Sequence, residues 1–120
     1  MAYDDNNVFA RILRGELPSD KVYEDECALA FRDLYPRAPI HVLVIPKARF
    51  VSFNDFVAGA DAELQVGFFH AIRHTAHQLG LAAGGYRLIA NHNRDARQEV
   101  PHFHVHILGG RDLKGLLPAA

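Results

Sequence analysis

Short segments of apolar or alternating character predict the strands of this chain. KVYED and ALAFRD predict two strands joined by a polar turn, and YRLIA, from Tyr86, predicts a later strand. IHVLVIP, from Ile40 to Pro46, is apolar at nearly every position. We therefore expect it to be buried on both faces and to lie at the centre of a sheet.

Helical spacing of apolar residues occurs in two segments. In NNVFARILRGELP, Asn6 or Asn7 can cap a short helix that ends at Gly15. DAELQVGFFHAIRHTAHQLG predicts one long helix that ends at Gly80, with a stripe on one face formed by Leu64, Phe68, Ile72, Thr75 and Leu79. Together these elements predict one α+β domain over residues 1–120, in which an antiparallel sheet carries one short N-terminal helix and one long helix.

The segment EVPHFHVHILGG places His102, His104 and His106 in alternation with apolar residues. Such alternation predicts a strand, here beginning at Pro101, with one apolar face and one face of imidazoles. A single histidine is usually a hydrogen-bonded structural residue, but three in register present titratable nitrogens along one face. The pattern therefore indicates a functional site.

Charge and cysteine content narrow the class of partner. The chain has 120 residues and a formal net charge of −1, so we expect no attraction to nucleic acid or to an anionic membrane. Cys27 is the only cysteine, and the start MAYDD lacks the features of a signal peptide. We therefore expect a cytoplasmic protein.

A metal site is one interpretation of the histidines. Same-face neighbours on a strand lie about 6.8 Å apart and the outer pair about 13 Å apart, whereas nitrogens on one zinc lie within roughly 4 Å. We therefore expect no required metal at the histidine row. On the long helix, His70, His74 and His77 lack the glutamate of a metalloprotease motif, so we interpret them, and His92, as solvated surface residues.

A catalytic set is the interpretation that we favour. Neutral imidazole is a good nucleophile toward phosphorus near pH 7, and neighbouring histidines can donate to phosphate oxygens and protonate a departing amine. From the residues alone, His41 is either a core histidine or a partner that orients one of these imidazoles. The long connection from Asn91 to Pro101 is a functional candidate because few neighbouring strands are joined by so many residues.

Several segments together resemble one known family. HFHVHIL is similar to the signature of the histidine triad (HIT) superfamily. VFARILRGELP, DECALAFRDLYPRAPIHVLVIPK and QEVPHFHVHILGGR follow in the order of its histidine triad nucleotide-binding branch. The resemblance implies a HIT-like fold and a homodimer whose two sheets join into one. It also implies hydrolysis of purine nucleoside phosphoramidates, which are derivatives of AMP or GMP, and a reaction that needs no cofactor.

The resemblance also implies catalytic roles by position. His104 matches the family nucleophile, which would form a nucleotidyl-histidine intermediate. His106 matches the residue that contacts phosphate oxygens and the leaving group. His102 matches the first triad position, and His41 matches a fourth histidine that is expected to pair with His102. Two other functions remain possible on this basis: hydrolysis of dinucleoside polyphosphates, and a nucleotide-binding or scaffolding module without catalysis.

Substrate-binding residues follow from the same resemblance. Asp33 is implied to bind the ribose hydroxyls, and Asn91 to donate a hydrogen bond on the phosphate side. Glu99 stands where well-known animal members carry a serine near the leaving group, and a carboxylate there would repel phosphate, so we expect it to turn away or to be protonated. An apolar pocket around the base is implied for Phe9, Ile12, Phe31, Leu34 and Leu43.

Overall fold

The computed structural model of the protein describes residues 2–117, so Met1 and residues 118–120 of the predicted domain lie outside the described residues. The strands are Lys21–Glu24 (β1), Ala28–Arg32 (β2), Ile40–Pro46 (β3), Tyr86–Ile89 (β4) and Val105–Gly109 (β5). They form one antiparallel sheet in the order β1-β2-β3-β5-β4. The helices are Val8–Leu13 (α1), Phe53–Gly59 (α2) and Ala62–Gln78 (α3), with a 3₁₀ turn at Arg94–Ala96. The α+β class is confirmed.

The strand β3 lies at the centre of the sheet, as its sequence predicts. Val42 and Val44 belong to a core cluster with α2 and α3, whereas Leu43 and Ile45 belong to a second cluster on the opposite face, with Phe9 of α1. Both faces of β3 are therefore buried, and the two helical layers lie on opposite sides of the sheet.

The caps of α1 and α3 explain where these helices begin. The Asn7 side chain accepts a hydrogen bond from the backbone N–H of Ala10 at 2.9 Å, and the Asp61 side chain accepts one from Leu64 at 2.8 Å. The predicted stripe of α3 faces the core, where Phe68, Ile72 and Thr75 are buried. Among the described residues, every helix is too short or too polar to cross a membrane.

The prediction of only two helices was wrong, because α2 was missed. The Asp55 carboxylate accepts hydrogen bonds from the backbone N–H groups of Val51 and Ser52, both at 2.7 Å, and so stabilises the first turn. Phe56 of α2 is completely buried in the core cluster beside α3. The spacing of Ser52 and Asp55 was the available signal, in a helix of only 7 residues.

The predicted start of the histidine strand was also wrong, because β5 begins at Val105 and not at Pro101. In the ladder, Val44 is opposite Val105, so continued pairing would place Phe103 opposite Pro46. Proline has no N–H to donate to a ladder. The N–H of Phe103 donates instead to the carbonyl of Phe50, at 2.7 Å, and the chain leaves the sheet there.

Candidate active site

Apolar and histidine side chains of the histidine segment alternate between two faces, although only part of the segment is a strand. Phe103, Val105 and Ile107 are buried in the core cluster with α2 and α3. The three histidines are not members of that cluster, and the Phe9 ring from α1 meets the rings of His102 and His104 in T-shaped contacts. His102 and His104 are buried, and His106 is partly exposed. The prediction that the imidazoles share one face is therefore confirmed.

The tautomer of His104 follows from its hydrogen bond. Its Nδ1 lies 2.7 Å from the backbone carbonyl of His102. A carbonyl only accepts, so Nδ1 carries the proton and Nε2 keeps a lone pair. His104 lines a cavity, and its ring centroid lies 5.1 Å from that of His106. A neutral imidazole with a free Nε2 beside a second imidazole is the arrangement of a nucleophile with a proton donor.

A chain of hydrogen bonds sets the tautomer of His106. The backbone N–H of Arg37 donates to Nδ1 of His41 at 3.0 Å, so the proton of the neutral His41 ring is on Nε2. That Nε2 lies 2.9 Å from Nδ1 of His106, which must then accept. The proton of His106 is therefore on its Nε2, on the far side of the ring. The strand register explains the contact. His41 of β3 lies opposite Leu108 of β5, and Leu43 lies opposite His106, so the two histidines are diagonal neighbours on one face of the sheet.

The expected pairing of His41 with His102 was wrong. His41 contacts His106 because the two strands that carry them are paired. His102 precedes Val105, the first residue of β5, and is not paired with β3. Nε2 of His102 donates to the Pro46 carbonyl at 3.0 Å, and the hydroxyl of Tyr3 lies 2.6 Å from its Nδ1. Sequence reasoning missed Tyr3, and nothing in the local pattern of the N-terminal segment singles it out.

Burial lowers the pKa of every histidine in this group. Desolvation is the main cause for His41, His102, His104 and His106, and it brings the pKa of His102 and of His106 to about 4. For His106, the nearby His104 and His41 rings contribute to this lowering of the pKa. All four imidazoles are therefore neutral near pH 7, as the hydrogen-bonding pattern requires.

Three of these histidines, His41, His104 and His106, line a cavity of about 380 Å³, the histidine cavity. Its lining includes seven predicted site residues, namely Phe9, His41, Leu43, Asn91, Glu99, His104 and His106. Glu99 is exposed at this lining, and its charge raises the pKa of His104 slightly against the larger effect of burial. Sequence reasoning missed Arg37 and Arg97, which line the same cavity and bring positive charge to it. Glu99 lines this cavity together with the two cations, and its expected orientation away from phosphate stays a prediction.

A second, mostly apolar pocket of about 220 Å³ adjoins the first. It contains the five predicted base-pocket residues together with Asp33, and it shares Phe9, Leu43 and Val100 with the histidine cavity. Phe9, Phe31 and Leu43 are buried, whereas Leu34 is 86% exposed and so is not a core residue. Oδ2 of Asp33 lies 3.4 Å from Nε2 of His41, which places this carboxylate between the pocket and the histidines.

One group of potential metal ligands lies within this site. Asp33, His41 and His106 each offer a ligand atom, and these atoms lie within 4.8 Å of one another. Nε2 of His41 and Nδ1 of His106 already share a hydrogen bond, so an ion bound through these two atoms would have to displace that proton. The expected exposure of His70, His74 and His77 is confirmed, but His92 is half-buried and its Nδ1 lacks a partner among the described residues.

The sequence of this chain is similar to a family model and to sequences of bacterial proteins. Residues 14–113 match the family model described as the HIT domain, and Tyr3, Phe9 and Ile12 lie outside that stretch. The chain is 53% identical over 111 residues to a HIT-like protein of Azospirillum brasilense, covering 92% of this chain and 91% of the relative. It is 44% identical over 114 residues to the purine nucleoside phosphoramidase of Escherichia coli K12, covering 94% of each.

A solved structure gives the same picture. The HIT family hydrolase from Legionella pneumophila superposes with a TM-score of 0.84 at 43% identity, covering 91% of this chain and 96% of that chain. The sheet and helices described above are therefore those of a widely shared fold.

Proposed function

The chain belongs to the HIT domain family, and on that premise we propose that it is a hydrolase of purine nucleoside phosphoramidates. In this proposal a nucleotide phosphorus bonded to an amine nitrogen is transferred first to His104 and then to water. The observation that carries the proposal is the tautomer of His104, whose Nδ1–H is held by the His102 carbonyl at 2.7 Å while Nε2 has no hydrogen bond to any residue that the structure describes.

In the first step, Nε2 of His104 attacks phosphorus and the P–N bond of the substrate breaks. The departing amine takes a proton from Nε2 of His106, which becomes an imidazolium on substrate binding and returns here to its neutral form. The Nε2 positions of the two rings suit these tasks because each ring is held through its Nδ1, by the His102 carbonyl and by Nε2 of His41. In the second step, water attacks phosphorus, the bond to His104 breaks, and His106 receives the proton of the water.

The proton supply depends on the substrate. In the free protein, burial lowers the pKa of His106 to about 4, so the ring is neutral near pH 7. A phosphate anion next to the ring favours the protonated form, because opposite charges within a few ångströms raise the pKa of an imidazole. Binding of the nucleotide therefore adds a proton to Nδ1 of His106, and the Nε2–H of His41 then donates to Oδ2 of Asp33, 3.4 Å away. The nucleophile His104 stays neutral in the free protein because burial lowers its pKa.

The two adjoining pockets suggest how a nucleotide lies in the site. We place the base in the apolar pocket and the phosphate in the histidine cavity, with the Asp33 carboxylate accepting from the ribose hydroxyls between them. Asn91 is suited to donate to a phosphate oxygen. Arg37 and Arg97 line the cavity together with Glu99, so their charge can offset the repulsion between this carboxylate and phosphate.

The test is an assay of the purified protein on an adenosine phosphoramidate, with a diadenosine polyphosphate in parallel. Preferred cleavage of the phosphoramidate, and label from the nucleotide trapped on His104 by rapid acid quench, would support the proposal. Preferred cleavage of the polyphosphate would assign the other enzymatic function, and binding without turnover would indicate a nucleotide-binding module. We expect activity to survive EDTA, and loss that zinc restores would contradict the metal-independent mechanism.

We also propose a homodimer. Among residues 2–117, the edge strand β4 has one side without a partner strand and exposes Leu88. Helix α3 exposes Val66 and Phe69, and each of the three side chains is exposed at about half of its surface. Pairing of two edge strands would join two sheets into one. Light scattering should give about twice the chain mass of 13.4 kDa at micromolar concentration, and a mass that stays at 13.4 kDa would exclude the dimer.

A further inference from the structure

The N-terminal segment reaches the histidine site through one side chain. The hydroxyl of Tyr3 lies 2.6 Å from Nδ1 of His102, and the two rings meet edge to face with centroids 5.6 Å apart. Nε2 of His102 already donates to the Pro46 carbonyl, so Nδ1 is an acceptor and the tyrosine hydroxyl is the donor. His102 is completely buried, so Tyr3 supplies a hydrogen bond that bulk water does not replace.

Tyr3 is held in place by contacts that do not involve His102. The Arg49 guanidinium lies over the Tyr3 ring, 5.1 Å from its centroid. The same guanidinium donates to both carboxylate oxygens of Asp5, at 2.8 and 3.0 Å. The side chain of Asn7 donates to the Asp4 carbonyl at 2.7 Å and ties this segment to the start of α1. The tyrosine hydroxyl is therefore presented to His102 by an ordered segment.

His102 in turn controls the orientation of His104. The peptide that joins His102 to Phe103 accepts from Nδ1 of His104 through its carbonyl and donates to the Phe50 carbonyl through its N–H, both at 2.7 Å. Beyond this peptide, His102 is anchored by its ring, one nitrogen at Pro46 and the other at Tyr3. Loss of the tyrosine bond leaves one ring nitrogen unsatisfied and permits the ring to turn.

We propose that Tyr3 is a positioning residue for the reaction, because its hydroxyl fixes the ring of His102 and thereby the carbonyl that orients the nucleophile His104. The inference rests on the proposed function, in which His104 attacks phosphorus. Tyr3 touches neither the cavity nor the reacting atoms, and it acts only through His102.

The test is Tyr3→Phe, which removes the hydroxyl and keeps the ring under Arg49. We expect kcat to fall about tenfold while KM changes by less than about twofold, since a buried acceptor is left unpaired and the substrate pockets are unchanged. The matched control is Tyr23→Phe, which removes a hydroxyl that donates to Asp25 at 2.7 Å on β1. This control should leave kcat unchanged.

A second measurement separates positioning from general stabilisation. In wild-type protein at pH 7, ¹⁵N spectra of the imidazoles should show the Nε2–H tautomer of His102 and the Nδ1–H tautomer of His104. Tyr3→Phe should give mixed tautomers for both rings, and Tyr23→Phe should not. A lower melting temperature with wild-type kcat and unchanged His104 signals would overturn the inference and leave Tyr3 a purely structural residue.

The two proposals fail in different ways. If the wild-type protein cleaves no phosphoramidate, the proposed function fails, and the ¹⁵N signals of His104 still decide whether Tyr3 orients that ring. If the wild-type protein is active and Tyr3→Phe retains full kcat, the proposed function stands and the role of Tyr3 is excluded.

Discussion

The two faces of the segment from His102 to Ile107 are held by different kinds of interaction. On one face, Phe103, Val105 and Ile107 pack into a closed apolar cluster in which Phe103 contacts both Phe56 and Phe68. On the other face, each histidine ring has directional hydrogen bonds to particular atoms, and the short helix α1 leaves two pockets open.

This difference explains why some side chains of this protein should mainly determine its stability and others mainly its chemistry. A core side chain is held by many weak contacts, so the loss of one group changes the free energy of unfolding. An imidazole on the other face is held by one or two directional hydrogen bonds, so the loss of one partner changes a tautomer or a proton. Substitutions on the two faces should therefore have different signatures.

The largest effect is expected for His104→Ala. Loss of the nucleophile should lower the rate of phosphoramidate hydrolysis by about 10⁴ or more, while nucleotide affinity stays within about tenfold because the apolar pocket and Asp33 remain. Single-turnover kinetics and calorimetry measure the two quantities, with His70→Ala on the exposed side of α3 as the control. Near-full turnover in His104→Ala would refute the mechanism.

His106→Ala should have the next largest effect. It removes the proton donor, so the rate should fall by about 10² to 10⁴ with an amine leaving group. The loss should be smaller with a leaving group that departs without a proton. Comparison of the two substrates in a steady-state assay tests this, and an equal loss for both would assign His106 to another task.

Phe68→Ala tests the opposite face. Its ring is completely buried, so truncation should lower the free energy of unfolding by about 3 to 5 kcal/mol. Denaturant titration measures the loss, and active-site titration gives the rate per folded molecule, which should stay near that of wild type. A large loss of rate without a loss of stability would contradict the separation of the two faces.

Acid should destabilise the protein through its buried histidines. The folded-state pKa of His102 is about 4, below the ordinary value of about 6.5, so the unfolded chain binds the proton more readily. Stability should therefore be constant above pH 6.5 and should fall between pH 6.5 and 4, by up to about 1.4 kcal/mol per pH unit for this residue. Denaturant titrations across that range measure the slope, and a flat profile would contradict the burial of neutral His102.

The smallest effect is expected for Asp33→Asn. Loss of the carboxylate should weaken binding of a ribonucleotide by about tenfold, because a charge-assisted hydrogen bond to the ribose is lost. Binding of the 2′-deoxynucleotide should weaken less. Calorimetry with both nucleotides measures the difference, and an equal loss for the two sugars would place Asp33 away from the ribose.

Much of the fold follows from local sequence pattern. The apolar run of β3 predicts its central place, the helical stripe of α3 predicts its buried face, and the alternation around His104 predicts one face of imidazoles. These features follow from side-chain periodicity, which depends only on neighbouring residues. The resemblance of HFHVHIL to a known signature led to the same family as the later comparison.

What the sequence by itself did not determine is the partner of each polar atom. His102 is hydrogen-bonded to Tyr3, 99 residues away in the sequence, and to Pro46, 56 residues away. His106 is hydrogen-bonded to His41, 65 residues away. Only strand register and the path of the loops bring these atoms together. A hydrogen bond acts over about 3 Å and in one direction, so the tautomers on which the chemistry depends are decided by the tertiary structure.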